Sequence, residues 1–233
     1  MAEIAPFAGF GPHAMPFLVG LADDNTKRYF ETHRTLYEEQ VLQPLMSLVV
    51  AIGDELRERV SPAIRSEPKI GKSMFRINRD LRFSKDKTPY HTYLDSVYWE
   101  GDSPRASPGF ILRITPDEVI IGAGVVGLFG ERLERWRTAV LDDDRGIELA
   151  TLIEATRCRL RGATLTEPTR KRVPKGFPAD HPRADLLRRD GLHLSTALAM
   201  PDSVTSASFA TWCLERHVQL ADLHRWLVRE LGG

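Results

Sequence analysis

The sequence predicts an α+β fold, with a central, mainly antiparallel sheet and with N-terminal and C-terminal helices packed against it. Three observations lead to this prediction. Apolar residues recur at helical spacing near both ends of the chain. The middle carries short β-branched and aromatic segments bounded by glycine, proline and aspartate. No internal repeat, low-complexity run or flexible linker interrupts the 233 residues, so we expect a single domain spanning residues 1–233.

The first sixty residues carry the pattern of helices. Within residues 25–40 an apolar and aromatic face repeats at helical period, which predicts one helix capped by Asp24 or Asn25. Pro44 fits the first turn of a following helix, because its fixed backbone angle suits that position. The residues that form the two apolar faces are Tyr29, Phe30, His33 and Tyr37 in the first helix, and Leu45, Leu48, Val49, Ile52 and Leu56 in the second.

The strands are predicted in the middle of the chain. The segments "YLDSVYWEG", "PGFILRIT" and "DEVIIGAGVVG" have strand composition, and Thr115-Pro116-Asp117 is typical of a hairpin turn. Helical spacing returns from Gly130 and continues through residue 153. A further strand is predicted in "GLHLSTALAM", and a helical tail begins at about Ser206.

The composition limits the compartment and the partners. The chain has 32 basic and 32 acidic residues, so its total charge favours neither nucleic acid nor an anionic membrane. The two cysteines, Cys158 and Cys213, have no paired spacing, which favours a reducing compartment. The N-terminal residues lack the pattern of a signal peptide, and no apolar stretch approaches the about 20 residues that span a bilayer. We therefore expect a cytoplasmic protein that is not in a membrane.

Positive charge is concentrated in the segment "KSMFRINRDLRFSKDKTPYHT". Six basic residues lie between Lys72 and Lys87, against two acidic residues. We interpret the segment as a strand followed by an irregular loop, because Pro89 disfavours helix at Thr88. In that strand Phe75 and Ile77 share the core face, and the opposite face carries Met74, Arg76 and Asn78.

This basic segment is the candidate binding site. Guanidinium groups present planar, paired donors that match carboxylate and phosphate and that keep their charge. We expect an anionic, phosphorylated ligand to be bound by Arg76, Arg79, Arg82 and Lys87, with Asp80 orienting the arginines, Tyr90 donating a hydrogen bond and His91 able to titrate. The alternative is an internal Arg–Asp network that only fixes a loop.

A second basic passage, "EPTRKRVPKGFPADHPRADLLRRD", offers a hypothetical second wall. It holds Arg170, Lys171, Arg172 and Lys175, and folded over the first segment it would add Lys175 to the site. The alternative is an exposed loop, because segments this rich in proline and charge normally face water.

Other motifs do not meet the requirements of their chemistry. "GAGVVG" at residues 122–127 matches a dinucleotide-binding pattern, but the expected helix does not begin at those glycines. We interpret the glycines as strand positions that another backbone approaches closely. Cys213 and His217 have the spacing of metal ligands but lack further partners, so we expect core packing, no metal and no cofactor.

The basic segment resembles a known bacterial family. The pattern Arg-x-x-Arg-Asp-x-Arg-Phe followed by Lys-x-x-Tyr is similar to the signature of domain of unknown function 2461, and "FAGF", "RYFETHRTLYEEQ" and "VPKGFPADHP" extend the resemblance over nearly the whole chain. The resemblance implies that the basic segment is the shared feature of that family, and it implies no reaction. The signature falls on Arg76, Arg79, Asp80, Arg82, Phe83, Lys87 and Tyr90.

Two other function classes remain open from the sequence. Basic residues interleaved with Phe75, Phe83 and Tyr90 are compatible with single-stranded nucleic acid, although the neutral total charge and the short basic blocks disfavour a long track. A partner-binding scaffold without chemistry would use the same arginines on an acidic protein surface. Whether the protein is an enzyme, and its oligomeric state, are not predicted.

Overall fold

A computed structural model describes residues 4–232 and has α+β architecture. The antiparallel sheet has five strands in the order β1-β2-β3-β5-β4. The β4 strand pairs with β5 so that Thr164 lies opposite Ser195 and Leu165 opposite Leu194. The predicted fold class and the four predicted strand segments are confirmed. The strands are β1 (Leu94–Trp99), β2 (Gly109–Ile114), β3 (Glu118–Val125), β4 (Thr164–Leu165) and β5 (Leu192–Ala199).

Helices precede and follow the strands in the chain, and three helices lie between β3 and β5. None of those described is long and apolar enough to cross a membrane. In chain order the helical segments are α1 (Ala14–Asp23), α2 (Lys27–Thr32), α3 (Arg34–Leu36), a π-helical segment (Tyr37–Leu42), α4 (Gln43–Arg59), α5 (Gly130–Leu141), α6 (Asp143–Arg159), α7 (Ala184–Leu187), a 3-10 segment (Asp202–Thr205), α8 (Ser208–Val218) and α9 (Ala221–Leu231).

The chain divides into two compact units. Within the described residues, the first unit contains the chain up to Tyr98, together with Ile111–Ile120 and Leu198–Glu215. The second contains Trp99–Phe110, Ile121–Ala197 and the chain from Arg216 onward. The basic segment at residues 72–92 belongs to the first unit, and Lys175 belongs to the second.

The first unit has an aromatic core beside α1. The ring of Phe17 lies 6.2 Å from Phe30 and 5.7 Å from Tyr37, and all three side chains are buried. Pro44 stands in the first turn of α4, as predicted. The predicted apolar face of that helix is buried, which removes a large apolar area from water and stabilises the helix; its residues are Leu45, Leu48, Val49, Ile52 and Leu56.

The single helix predicted over residues 25–40 is wrong in its continuity and in its cap. Thr26 caps α2, because its hydroxyl accepts a hydrogen bond from the Tyr29 amide at 3.2 Å. The helix stops at His33, whose ring Nδ1 lies 2.8 Å from the Tyr29 carbonyl oxygen. The same carbonyl oxygen also accepts from the His33 amide at 3.1 Å, and the backbone of His33, at φ −107° and ψ 14°, is no longer helical. The chain then resumes as α3 and the π-helical segment.

The second unit is built around two tryptophans. Trp136 of α5 and Trp226 of α9 meet edge to face with ring centroids 6.0 Å apart, and both are almost fully buried. Gly122 and Gly124 of "GAGVVG" lie in β3 and behave as predicted for a close backbone approach, whereas Gly127 lies beyond β3 and a Cβ there would meet no atom within 4 Å. A Cβ at Gly124 would lie 2.1 Å from the carbonyl oxygen of Leu192 on β5. Gly122 and Gly124 therefore serve strand packing within β3.

Candidate anion-binding site

The strand predicted in the first half of the basic segment is wrong, because the chain there is extended but forms only isolated bridges. Isolated bridges join Met74 to Ser96 and Asn78 to Tyr90. Between these two bridges the chain advances four positions on one side, from Met74 to Asn78, and six on the other, from Tyr90 to Ser96. The pairing therefore shifts along the segment. Strict alternation is lost: Met74 is buried and Phe75 is 43% exposed, which reverses the predicted faces at these two residues. Ile77 is buried, as predicted.

The second half is a loop whose charges are largely paired within it. Asp80 accepts hydrogen bonds from Arg82, at 3.0 Å from Nε to Oδ1 and at 2.7 Å from Nη2 to Oδ2. The bonds from the Arg82 side chain and amide hold the pKa of the Asp80 carboxyl well below its usual range. Lys87 donates from Nζ to the Leu81 carbonyl oxygen at 2.9 Å. Asp80 thus binds Arg82, and both Arg82 and Lys87 have partners inside the loop.

Arg79 closes the base of this loop. Its Nη1 donates to Asp86 Oδ2 at 2.5 Å, to the Thr88 carbonyl oxygen at 3.2 Å and to the Thr88 hydroxyl. Its amide also donates to the Pro89 carbonyl oxygen at 2.8 Å. The hydrogen bonds from the Thr88 amide, from Arg79 and from the Thr88 hydroxyl lower the pKa of Asp86 to about 2. Arg79 is therefore oriented by the loop, with Nε and Nη2 free of hydrogen bonds within residues 4–232.

Arg76 differs from its neighbours because its charge is not paired. The residue is exposed, and its guanidinium forms no hydrogen bond or ion pair with any residue that the structure describes. Its charge contributes, after larger causes, to the lowered pKa values of Asp80 and His91. The charge of Arg76 is therefore close enough to act on both of these side chains.

His91 lies among three arginines. The side chain is half-buried, and its amide donates to the Ile77 carbonyl oxygen at 2.7 Å. Burial is the main cause that lowers the pKa of the imidazole, because it penalises the charged form. The charges of Arg79, Arg113 and Arg76 lower the pKa further, while Asp95 raises it. The imidazole is thus held toward its neutral form, with no hydrogen bond to its ring nitrogens from the described residues.

Two charged residues of this surface were not predicted from the sequence. Arg113 of β2 binds Asp95 of β1 through Nε and Nη2, at 2.7 and 2.8 Å, and its guanidinium carbon lies 3.9 Å from the centre of the Tyr93 ring. The Tyr93 ring in turn lies 4.8 Å from that of His91. The available signal was one charged residue in each of two otherwise apolar strands, "LDSVYW" and "GFILRI".

Tyr90 is directed to a different environment. Its ring is 5% exposed and stacks on Phe30 of α2, with centroids 4.5 Å apart. Asn25 holds its backbone on both sides, since Nδ2 donates to the Tyr90 carbonyl oxygen and Oδ1 accepts from the Tyr90 amide, each at 3.0 Å. Burial is the main cause that raises the pKa of the Tyr90 hydroxyl. Tyr90 therefore links the basic segment to α2. The side chain that was predicted to donate a hydrogen bond to the ligand packs on this helix.

Of the basic residues Arg170, Lys171, Arg172 and Lys175 in the second basic passage, only Arg170 has an ion pair within the described residues. It binds Asp190, at 2.9 Å from Nε to Oδ1. Lys175 is exposed, and the hypothesis that its loop covers the first basic segment stays a prediction. Among the residues described, no group of three or more His, Cys, Asp or Glu is arranged to hold a metal ion.

A family model described as "Conserved hypothetical protein (DUF2461)" matches residues 13–226, which include the whole basic segment and Lys175. No curated protein matches the chain.

Proposed function

This chain belongs to the DUF2461 family of conserved hypothetical proteins, and we propose that it binds a small anion with a phosphate or carboxylate group. The proposed anion site consists of Arg76, Arg79, Arg113 and His91. It is narrower than the site expected from the sequence, because Arg82 and Lys87 have partners inside their loop and Tyr90 packs on α2.

The unpaired guanidinium of Arg76 is the observation that carries the proposal. Guanidinium has five donors in a planar fork that fits carboxylate and phosphate, and it stays charged at any physiological pH. Arg82, which is also exposed and lies in the same loop, is instead paired with the carboxylate of Asp80. Arg76 has all of its donors available, and its charge acts on the His91 imidazole together with the charges of Arg79 and Arg113.

The two fixed arginines supply the remaining donors. Asp86 and Thr88 engage only Nη1 of Arg79, and Asp95 engages only Nε and Nη2 of Arg113. Each guanidinium therefore keeps free N–H groups in a fixed orientation. Holding donors in place before the ligand arrives reduces the entropy that binding costs.

His91 gives the site a group whose charge depends on pH. In its neutral form the imidazole offers one donor and one acceptor to the ligand. A bound anion would favour the protonated form, since an opposite charge nearby raises the pKa of histidine. The proposal is one of recognition, and it assigns no reaction to these side chains.

The cytoplasm remains the proposed location. Cys158 is exposed and Cys213 is buried, and neither forms a disulfide within the described residues. Cysteines without disulfides are typical of proteins in reducing compartments.

Calorimetric titration with inorganic phosphate tests the proposal. Wild type should bind, and Arg76→Gln should weaken binding by about tenfold or more, because one charge-assisted hydrogen bond contributes roughly 1.5–3 kcal/mol. Arg65→Gln is the matched control, since Arg65 is also exposed and has no ion pair within residues 4–232. Equal losses of phosphate affinity in both variants would show that only the net charge of the protein matters, and this would contradict the proposed site.

A further inference from the structure

Phe83 is an exposed aromatic residue at the end of the basic loop. It is 93% exposed, more than any other large apolar side chain reported for residues 4–232. A phenylalanine in water exposes a large apolar area, which is unfavourable unless a partner covers it. We define the loop tip as residues 82–85.

The loop below the tip is braced by bonds that cross from one side to the other. Arg79 on one side binds Asp86 and Thr88 on the other, and Lys87 donates to the Leu81 carbonyl oxygen at 2.9 Å. These bonds satisfy polar groups at the base of the loop and leave the Phe83 ring outside them. The ring is therefore held away from the apolar core of its own unit.

The surroundings of Phe83 are positively charged. The guanidinium carbon of Arg82 lies 5.8 Å from the centre of the Phe83 ring, and the Arg82 side chain is 77% exposed. Lys85 is exposed and has no hydrogen bond or ion pair in the part of the chain that the structure describes. Lys87 binds a neutral carbonyl, so its charge is not cancelled. An aromatic face bordered by cations matches a ligand with flat bases and negative phosphates.

We propose that the loop tip stacks a base of single-stranded nucleic acid on Phe83 while the phosphate backbone reaches the anion site at Arg76. This inference rests on the proposed function and names the class of ligand. Phe83 follows Arg76 by seven positions, so their Cα atoms are at most about 25 Å apart along the chain. A short strand can therefore contact both, and the neutral total charge of the chain does not require a long track.

The favoured partner follows from the make-up of the tip. Insertion into a lipid surface needs a larger apolar face, and the neighbours of Phe83 in the tip are Arg82, Ser84 and Lys85. An apolar pocket in an acidic protein would also accept one aromatic ring. A nucleic-acid strand explains in addition the unpaired cations Arg76 and Lys85, which precede and follow Phe83 in the sequence, because these can contact phosphates of one strand.

The test measures two ligands on the same protein: a ten-nucleotide oligodeoxythymidylate and inorganic phosphate. Phe83→Ala should weaken oligonucleotide binding by about five- to hundredfold, the range for loss of one stacked base, and should leave phosphate binding unchanged. Arg76→Gln should weaken both. Phe129→Ala is the control, since Phe129 is 78% exposed and lies in the second unit.

Phe83→Trp adds a direct signal. Stacking on a base should quench the fluorescence of the new indole, so the oligonucleotide should lower the tryptophan fluorescence of this variant more than that of the wild type. If phosphate binds but the oligonucleotide does not, or if Phe83→Ala and Phe129→Ala bind the oligonucleotide equally, this inference is wrong and the proposed function stands. If phosphate does not bind to wild type, the proposed function is wrong as well.

Discussion

Arg113 and Asp95 form a paired hydrogen bond between β2 and β1, with Nε to Oδ1 at 2.7 Å and Nη2 to Oδ2 at 2.8 Å. The pair is partly shielded from water, since the side chain of Asp95 is 20% exposed. Arg113 also lies over the Tyr93 ring, so its orientation is fixed twice. The charge of one half-buried arginine is thereby held beside His91.

We first predict opposite changes in the pKa of His91 when the two partners are neutralised. Asp95 raises that pKa and Arg113 lowers it. Asp95→Asn should therefore lower the pKa of His91, and Arg113→Gln should raise it. Titration of the His91 ring protons by NMR measures both shifts. Shifts in the same direction would show that the two charges do not act on His91 as described.

We next predict that Asn25→Ala destabilises the protein by about 2 kcal/mol, because a half-buried amide and a carbonyl of Tyr90 lose their partners. Thermal and urea unfolding measure the change. Asn78→Ala is the control, since the Asn78 side chain is exposed and has no hydrogen bond within residues 4–232. A stability of Asn25→Ala equal to that of Asn78→Ala would contradict the role of Asn25.

Elements whose signals are local were predictable from the sequence. Pro44 marks the start of α4, and Thr115-Pro116-Asp117 lies in the turn between β2 and β3, because backbone preferences of a few neighbouring residues decide both. The break at His33 was not predictable, because the apolar and aromatic pattern of residues 29–37 continues at helical spacing through it.

The candidate site was only partly predictable, for reasons of distance along the chain. Asn25 meets Tyr90 across 65 positions, and Arg113 meets Asp95 across 18, so neither pair has a local signature. The exposure of Phe75 depends on the shifted pairing of its segment with residues 90–96. The concentration of arginine was visible in the sequence. Which arginine stays unpaired depends on carboxylates that only the folded loop brings close.

A third prediction concerns the loss of the hydrogen bonds to Asp86 at low pH. The pKa of Asp86 is lowered to about 2 in the folded loop, against about 3.9 for an unfolded chain. The contribution of its hydrogen bonds is therefore complete above about pH 4 and is lost as the pH falls through 2. The NMR signal of the Thr88 amide, which donates to Asp86 Oδ1 at 2.9 Å, should move with that midpoint. The movement should be absent in Asp86→Asn, and a midpoint near 4 in wild type would contradict the brace.

A fourth prediction tests the role of the glycines in β3. A methyl group at Gly124 would lie 2.1 Å from the Leu192 carbonyl oxygen, so Gly124→Ala must displace a backbone. We expect a loss of about 1–3 kcal/mol in the free energy of unfolding, measured in urea. Val126→Ala, at a residue 60% exposed just beyond β3, should change stability little. A neutral effect of Gly124→Ala would reopen a ligand-binding role for the glycine motif.

The most direct test of the anion site is the titration of His91 by NMR with and without inorganic phosphate at constant ionic strength. Phosphate bound among Arg76, Arg79 and Arg113 should raise the pKa of the His91 imidazole in wild type, and Arg76→Gln should abolish most of that change. An unchanged pKa of His91 at saturating phosphate, or an equal rise in Arg76→Gln, would contradict the account.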